Sequence, residues 1–164
     1  MKNKFYKVLL VDDEPLILSG IKFLIDWEKN NCQLVDTARN GKQALDYIEN
    51  NQVDIVIADI NMPVMNGITL QHELKKRFPH IVTIVLTNLQ EFELVRESLR
   101  SKSVDYITKS GLEPVILEES LHLAKRESDK RNKLANVDVI KDVIENNNSE
   151  LLNKAIKNIF VKSI

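Results

Sequence analysis

The chain has 164 residues, 43% of them hydrophobic and 29% charged, with 23 basic side chains against 24 acidic ones and a formal net charge of -1. These proportions exclude a disordered chain, a disulfide-built miniprotein and a globally basic nucleic-acid binder. The single cysteine, Cys32, closes no intrachain disulfide or zinc cluster, and no apolar run approaches the roughly 20 residues of a membrane span, so a reducing, cytoplasmic setting without membrane contact is expected.

Tyr6–Val11 reads as a buried strand, stopped by Asp12-Asp13-Glu14-Pro15. Proline is well placed at a first helical turn, and a helix follows with Leu16, Ile17, Gly20, Phe23 and Leu24 on one face. Gln33–Ala38 reads as a second, edge-like strand. Asn40 caps a helix from Gly41 to about Asn50, with Ala44, Leu45 and Ile48 inward. Val53–Ala58 is a third strand, Met62–Gly67 a turn, and a helix runs on to Arg77. Ile81–Leu86 is a fourth strand, Glu91–Leu99 a helix, and Val104–Ile107 a fifth, shorter strand. A last long helix starts near Pro114.

Five such alternations with short connections predict an α/β fold, a doubly wound parallel sheet covered by helices on both faces. The strands are continuous apolar runs, as burial on both faces requires. In such folds chemistry sits at the carboxyl ends of the strands. The first strand ends in Asp12 and Asp13, the third in Asp59, the fourth in Thr87 and the fifth in Lys109. Three carboxylates at one rim repel one another unless a hard cation joins them. Magnesium suits such a site, because it takes oxygen ligands and commonly completes its shell with water and phosphate oxygens. Asp59 is then the candidate nucleophile for an aspartyl-phosphate, with Lys109 and the metal neutralising the transferred group and Thr87 donating to it. Asn61, two residues on, offers its backbone carbonyl to the metal and its side chain to the edge of the phosphate.

Val11-Asp12-Asp13-Glu14, Asp59-Ile60-Asn61-Met62-Pro63-Val64-Met65-Asn66-Gly67, Thr87 and Tyr106-Ile107-Thr108-Lys109 together resemble the receiver domain of two-component response regulators, over residues 5 to about 125. The resemblance implies a flavodoxin-like (βα)5 fold with strand order 2-1-3-4-5. It implies that Asp59 accepts a phosphoryl group from a sensor histidine kinase. Asp12, Asp13, Asp59 and the Asn61 carbonyl are the implied Mg2+ site, and Thr87 and Lys109 the implied phosphate contacts. Tyr106 is the implied switch residue, turning inward as Thr87 moves toward phosphate. Ile25-Asp26-Trp27-Glu28 and Glu91-Phe92-Glu93 are similar to receivers fused to AraC-type helix-turn-helix domains.

Two positions depart from the family pattern. Ser110 and Gly111 follow Lys109 where many receivers carry proline. A non-proline cis bond costs about 2.5–4 kcal/mol, so a trans Lys109–Ser110 bond is expected. Asn88 follows Thr87 where a small residue is usual, and a longer-lived phospho-Asp59 is expected from it.

Residues 125–164 carry 9 basic and 6 acidic side chains, leaving 14 and 18 in residues 1–124. The expected organisation is a receiver over 1–125 and a helical linker over 126–164, leading to a DNA-binding domain absent from this chain. Lys125 to Arg131 reads as a solvated helical face. Short amphipathic segments follow, one with Val139, Ile140, Val143 and Ile144, the next with Leu151, Leu152, Ala155, Ile156, Ile159 and Phe160. The resemblance implies a homodimer through the face of helix 91–99 and the fifth strand, with the C-terminal helix as the alternative. The leading function is phosphorylation-controlled switching of a transcriptional regulator, and the chain is a signalling domain rather than an enzyme. The alternatives are a stand-alone receiver acting by protein contact and, less favoured, an aspartyl-phosphate phosphatase or phosphotransferase. Such enzymes usually carry a second acid where this chain has Asn61.

Overall fold

Strands form where β-branched and leucine side chains run unbroken, and helices where the apolar spacing widens to three and four. A computed structural model describes residues 4–88, 90–91, 104–146, 150, 153–154 and 156–157. In chain order the elements are β1 (Tyr6–Val11), α1 (Pro15–Leu24), β2 (Cys32–Ala38), α2 (Gly41–Asn50), β3 (Ile55–Asp59), α3 (Gly67–Arg77), β4 (Val82–Thr87), β5 (Asp105–Thr108), a 3-10 turn (Lys109–Gly111) and α4 (Pro114–Asn146). The helix expected over 91–99 lies outside the described residues except for Glu91, as does most of the expected segment from Leu151 to Phe160.

The five strands form one parallel sheet in the order β2-β1-β3-β4-β5. Successive residues of a strand point to opposite faces, so each strand feeds two cores. Val8, Leu10, Ile55, Ile57, Ile84 and Leu86 face one core, shared with Leu18 and Ile21 of α1 and Leu117, Leu121 and Ala124 of α4. Leu9, Val11, Val56 and Ala58 face the other, shared with Ala44, Leu45 and Ile48 of α2 and Leu70 and Leu74 of α3. Burial of one such leucine or isoleucine contributes about 1.5–3 kcal/mol, so these two layers carry most of the stability.

Asn40 caps α2 as expected, its side chain accepting from the Gln43 N–H. For α1 the inward face differs from the sequence expectation. Leu18 and Ile21 are buried and Ile17 and Leu24 pack against them, while Leu16 and Phe23 are more than four-fifths exposed. A helix whose apolar residues nearly encircle it does not declare its inward face. The sheet selects that face.

α4 corrects the reading of the chain after residue 125. The segment of Val139, Ile140, Val143 and Ile144 is not a separate helix, because α4 runs unbroken for 33 residues. Nor is the stretch from Lys125 to Arg131 simply a solvated face. Lys125 Nζ donates to the Asn30 carbonyl at 2.7 Å, and Ser128 is buried. Asp129 accepts from the Tyr6 hydroxyl at 2.7 and 2.8 Å and pairs with Lys4 at 2.8 Å. Arg131 Nη1 donates to the Ile81 carbonyl at 2.6 Å. Polar side chains thus fasten the helix to the amino-terminal rim of the sheet, opposite the end that gathers the acidic residues. Backbone carbonyls at a strand entrance need donors, and this polar stretch supplies them.

Candidate phosphoacceptor site

Register brings the acids together. Val11 of β1 pairs with Ala58 of β3, so Asp12 and Asp59, the next residues, emerge side by side. Asp59 pairs with Leu86 of β4, and Thr87 pairs with Thr108 of β5, which Lys109 follows. Asp12, Asp59, Thr87 and Lys109 therefore converge at one rim although 97 positions separate the first from the last.

The Lys109 ammonium lies 2.9 Å from Asp12 Oδ2, 2.8 Å from Glu14 Oε1 and 3.1 Å from Asp59 Oδ2. Oxygens of Asp12, Glu14 and Asp59 all lie within 4.8 Å of one another. Three carboxylates against one ammonium leave the cluster with a formal charge of -2. Burial pushes the Asp59 carboxyl up from its ordinary 3.8 to about 6, helped by the charge of Asp12 and opposed by Lys109. Burial raises Asp12 as well, against the pull of Lys109 and of the Glu14 N–H on Oδ1 at 2.9 Å. For Lys109, burial alone would weaken its hold on the proton. Hydrogen bonds to Glu14 and Asp12 and the charge of Asp59 outweigh this and hold the proton more tightly than usual.

Asp59 Oδ1 is buried and has no hydrogen-bond partner. The orphaned Asp59 oxygen beside the Asp12 carboxylate offers two oxygen ligands to a hard cation, and Mg2+ fits such a pair. The gathered carboxylates differ in one member from those expected. Asp13 is half-buried and stands outside the group, and Glu14 takes part instead. Arg39 explains the turn of the chain here: its Nη2 and Nε donate to the Asp13 carbonyl at 2.7 and 3.1 Å, while the Glu14 N–H is held by Asp12. The only trace of Glu14 in the sequence is its place in the Asp-Asp-Glu run, where helix-dipole stabilisation explains an acid equally well.

The remaining residues surround this centre. Thr87 is fully buried, and its hydroxyl donates to the Asn88 carbonyl at 3.0 Å. Tyr106 is half-buried on β5, packed with Ile60, Val85 and Ile68. The Asn61 side chain is exposed and donates to Glu91 Oε1 at 3.0 Å. The Lys109–Ser110 bond is trans, as expected.

The loop from β3 to α3 is tightly built. A Cβ on Gly67 would lie 2.2 Å from the Asp59 carbonyl oxygen, so only glycine lets α3 begin against the backbone of Asp59. The Gly67 N–H donates to the Ile60 carbonyl at 2.8 Å, and Asn66 caps the helix through the Thr69 N–H. Val64 sits at φ 67 with the Met65 N–H bonded back to the Pro63 carbonyl at 2.7 Å. This is a γ-turn of the rare, strained hand at a β-branched residue.

A parallel five-stranded sheet in this order, with an acidic rim at its carboxyl ends and a lysine after the last strand, is the architecture of a receiver-type signalling domain. Residues 8–120 match the family model of the response regulator receiver domain, and the chain belongs to that family. It is 36% identical over 135 residues to the "Uncharacterized transcriptional regulatory protein YesN" of Bacillus subtilis (strain 168). The match takes in 80% of this chain and 37% of that protein, so the chain spans well under half of its relative. The receiver domain of AraT, a response regulator from Geobacillus stearothermophilus, is 33% identical with a TM-score of 0.71, covering 77% of this chain and 98% of that one. A two component transcriptional regulator AraC from Clostridium phytofermentans ISDg has the same TM-score at 22% identity, covering 77% and 98%, and shows the fold alone. The expected resemblance to the receiver domains of response regulators thus holds. Among the described residues no helix is long and apolar enough to cross a membrane.

Proposed function

We propose that Asp59 accepts a phosphoryl group from a sensor histidine kinase and that this switches a transcriptional regulator. The observation that carries the reading is the buried Asp59 carboxylate, one oxygen 3.1 Å from Lys109 and the other unpartnered, beside Asp12 and Glu14. A carboxyl that titrates near 6 is about nine-tenths ionised at pH 7 and is more basic than a free aspartate, which favours it as a nucleophile. A bond forms between an Asp59 oxygen and phosphorus as the phosphorus–nitrogen bond of the donor imidazole breaks, and the electron pair leaves with the imidazole. Lys109 neutralises charge on the transferred group. Asp12, Asp13, Asp59 and the Asn61 carbonyl would hold Mg2+, which when bound supplies further positive charge to the phosphoryl oxygens. Thr87 gives up the Asn88 carbonyl and donates to a phosphoryl oxygen, and Tyr106 follows into the space so vacated.

Residues 1–125 form the receiver in this reading, and 126–164 a helical linker toward an AraC-type DNA-binding domain. DNA is contacted only through that domain. The regulator acts in the cytoplasm, and homodimers form through the face of β5 and helix 91–99 or through the C-terminal helix. Incubation with acetyl phosphate and Mg2+, read by intact mass, tests the centre of the reading. Wild type gains one phosphate and Asp59→Ala gains none. Equal gain in both would refute it.

A further inference from the structure

Lys109 has three N–H donors and three carboxylate neighbours, so a phosphoryl oxygen can reach the ammonium only by displacing one of them. The three are unequal. The side chains of Asp12 and Asp59 are 1% and 3% exposed, whereas that of Glu14 is 56% exposed. While the phosphoryl donor approaches, Asp59 is still a carboxylate, and releasing it or Asp12 strands a charge away from water, whereas releasing Glu14 returns its charge to solvent at little cost. Glu14 also stands at the N-cap position of α1, where a side chain ordinarily accepts from the helix's first N–H groups. It makes no such bond, and its carboxylate is committed to Lys109 instead. Its backbone is pinned by the bond from its N–H to Asp12, so the side chain alone is free to swing.

We propose that Glu14 is a positioning residue that parks Lys109 in the unphosphorylated site and yields its place to the incoming phosphoryl oxygen. This rests on the reading of Asp59 as phosphoacceptor. Glu14 competes with the phosphoryl group for one donor, so it slows loading and weakens retention of the loaded state. The exchange conserves the ammonium's contacts: the Glu14 bond breaks as the phosphoryl bond forms. Glu14 is thereby assigned a role in setting how readily the site loads, distinct from that of a metal ligand.

The test compares wild type, Glu14→Gln and Glu14→Ala at saturating Mg2+, with acetyl phosphate uptake by intact mass and beryllofluoride affinity by calorimetry. Both variants should load faster and bind beryllofluoride more tightly by roughly two- to fivefold, the range of a half-exposed ion pair. The advantage should shrink as ionic strength rises from about 0.05 to about 0.5 M, because an exposed pair is screened where buried ones are not. A purely structural role for Glu14 would produce neither the gain nor its salt dependence. Equal loading and affinity in all three proteins would overturn the proposal. So would a tenfold or larger loss of Mg2+ affinity together with slower loading, which would make Glu14 a metal ligand. If wild type takes up no phosphoryl group, or Asp59→Ala takes up as much, the phosphoacceptor reading fails and the proposal falls with it.

Discussion

Asp59→Asn should stabilise the metal-free protein, and the gain should depend on pH. Asp59 is almost fully buried, and its carboxyl titrates near 6 instead of at its ordinary 3.8. The folded state therefore binds this proton more tightly than the unfolded chain does. Ionisation opposes folding by an amount absent below about pH 4 and complete above pH 6. At about 1.36 kcal/mol for each tenfold change in proton affinity, the rise from 3.8 to about 6 corresponds to about 3 kcal/mol. The favourable contact with Lys109 is already inside that value, since Lys109 pulls the Asp59 titration down. Asparagine keeps the shape and removes the charge. Urea unfolding at several pH values in a chelator reads the effect directly. At pH 7.5 the variant should exceed wild type by about 3 kcal/mol, which for a chain of this size is about 6–12 °C in Tm. At pH 4 the two curves should meet. A gain constant between pH 4 and 8, or none at pH 7.5, would show that burial and repulsion in the acidic cluster are not the origin.

Gly67→Ala should destabilise the fold by about 2 kcal/mol or more, because its Cβ would stand 2.2 Å from a backbone oxygen that cannot move aside, and chemical denaturation measures this. Tyr6→Phe removes the donor to Asp129 and should cost about 1 kcal/mol at neutral pH. Asp129 is held below its ordinary range against the opposing effect of burial, chiefly by hydrogen bonds from Lys4 and Tyr6, so its contribution is present above about pH 4 and fades as pH falls further, and the Tyr6→Phe deficit should narrow in acid. Asn88→Ala should shorten the lifetime of phospho-Asp59, followed by loss of the phosphate mass over time; an unchanged lifetime would remove Asn88 from the account.

Much of the architecture is legible along the chain. Apolar runs mark the strands to within two residues, Asn40 stands at a helix start, and the rule that chemistry gathers at strand ends selects Asp12, Asp13, Asp59, Thr87 and Lys109 from 164 residues. These features rest on local periodicity and on backbone chemistry, which a sequence carries directly. Others need the third dimension. Which face of α1 turns inward is decided by the sheet, because Leu16 and Phe23 are as apolar as Leu18 and Ile21. The polar run from Lys125 to Arg131 looks solvated until the strand entrances are set beside it. Asn30 and Ile81 lie 95 and 50 positions away from the lysine and arginine that reach them.

The site divides along the same line. The sequence alone placed Asp12, Asp59, Thr87 and Lys109 at the carboxyl rim, because each stands at a strand's end and parallel strands end together. Only the tertiary structure decided that Glu14, and not Asp13, joins Asp12 and Asp59 around Lys109. Adjacent residues of a loop point in different directions. The bonds that orient this one come from Arg39, beyond the end of β2, and from Asp12, which is fixed by its place beside β3.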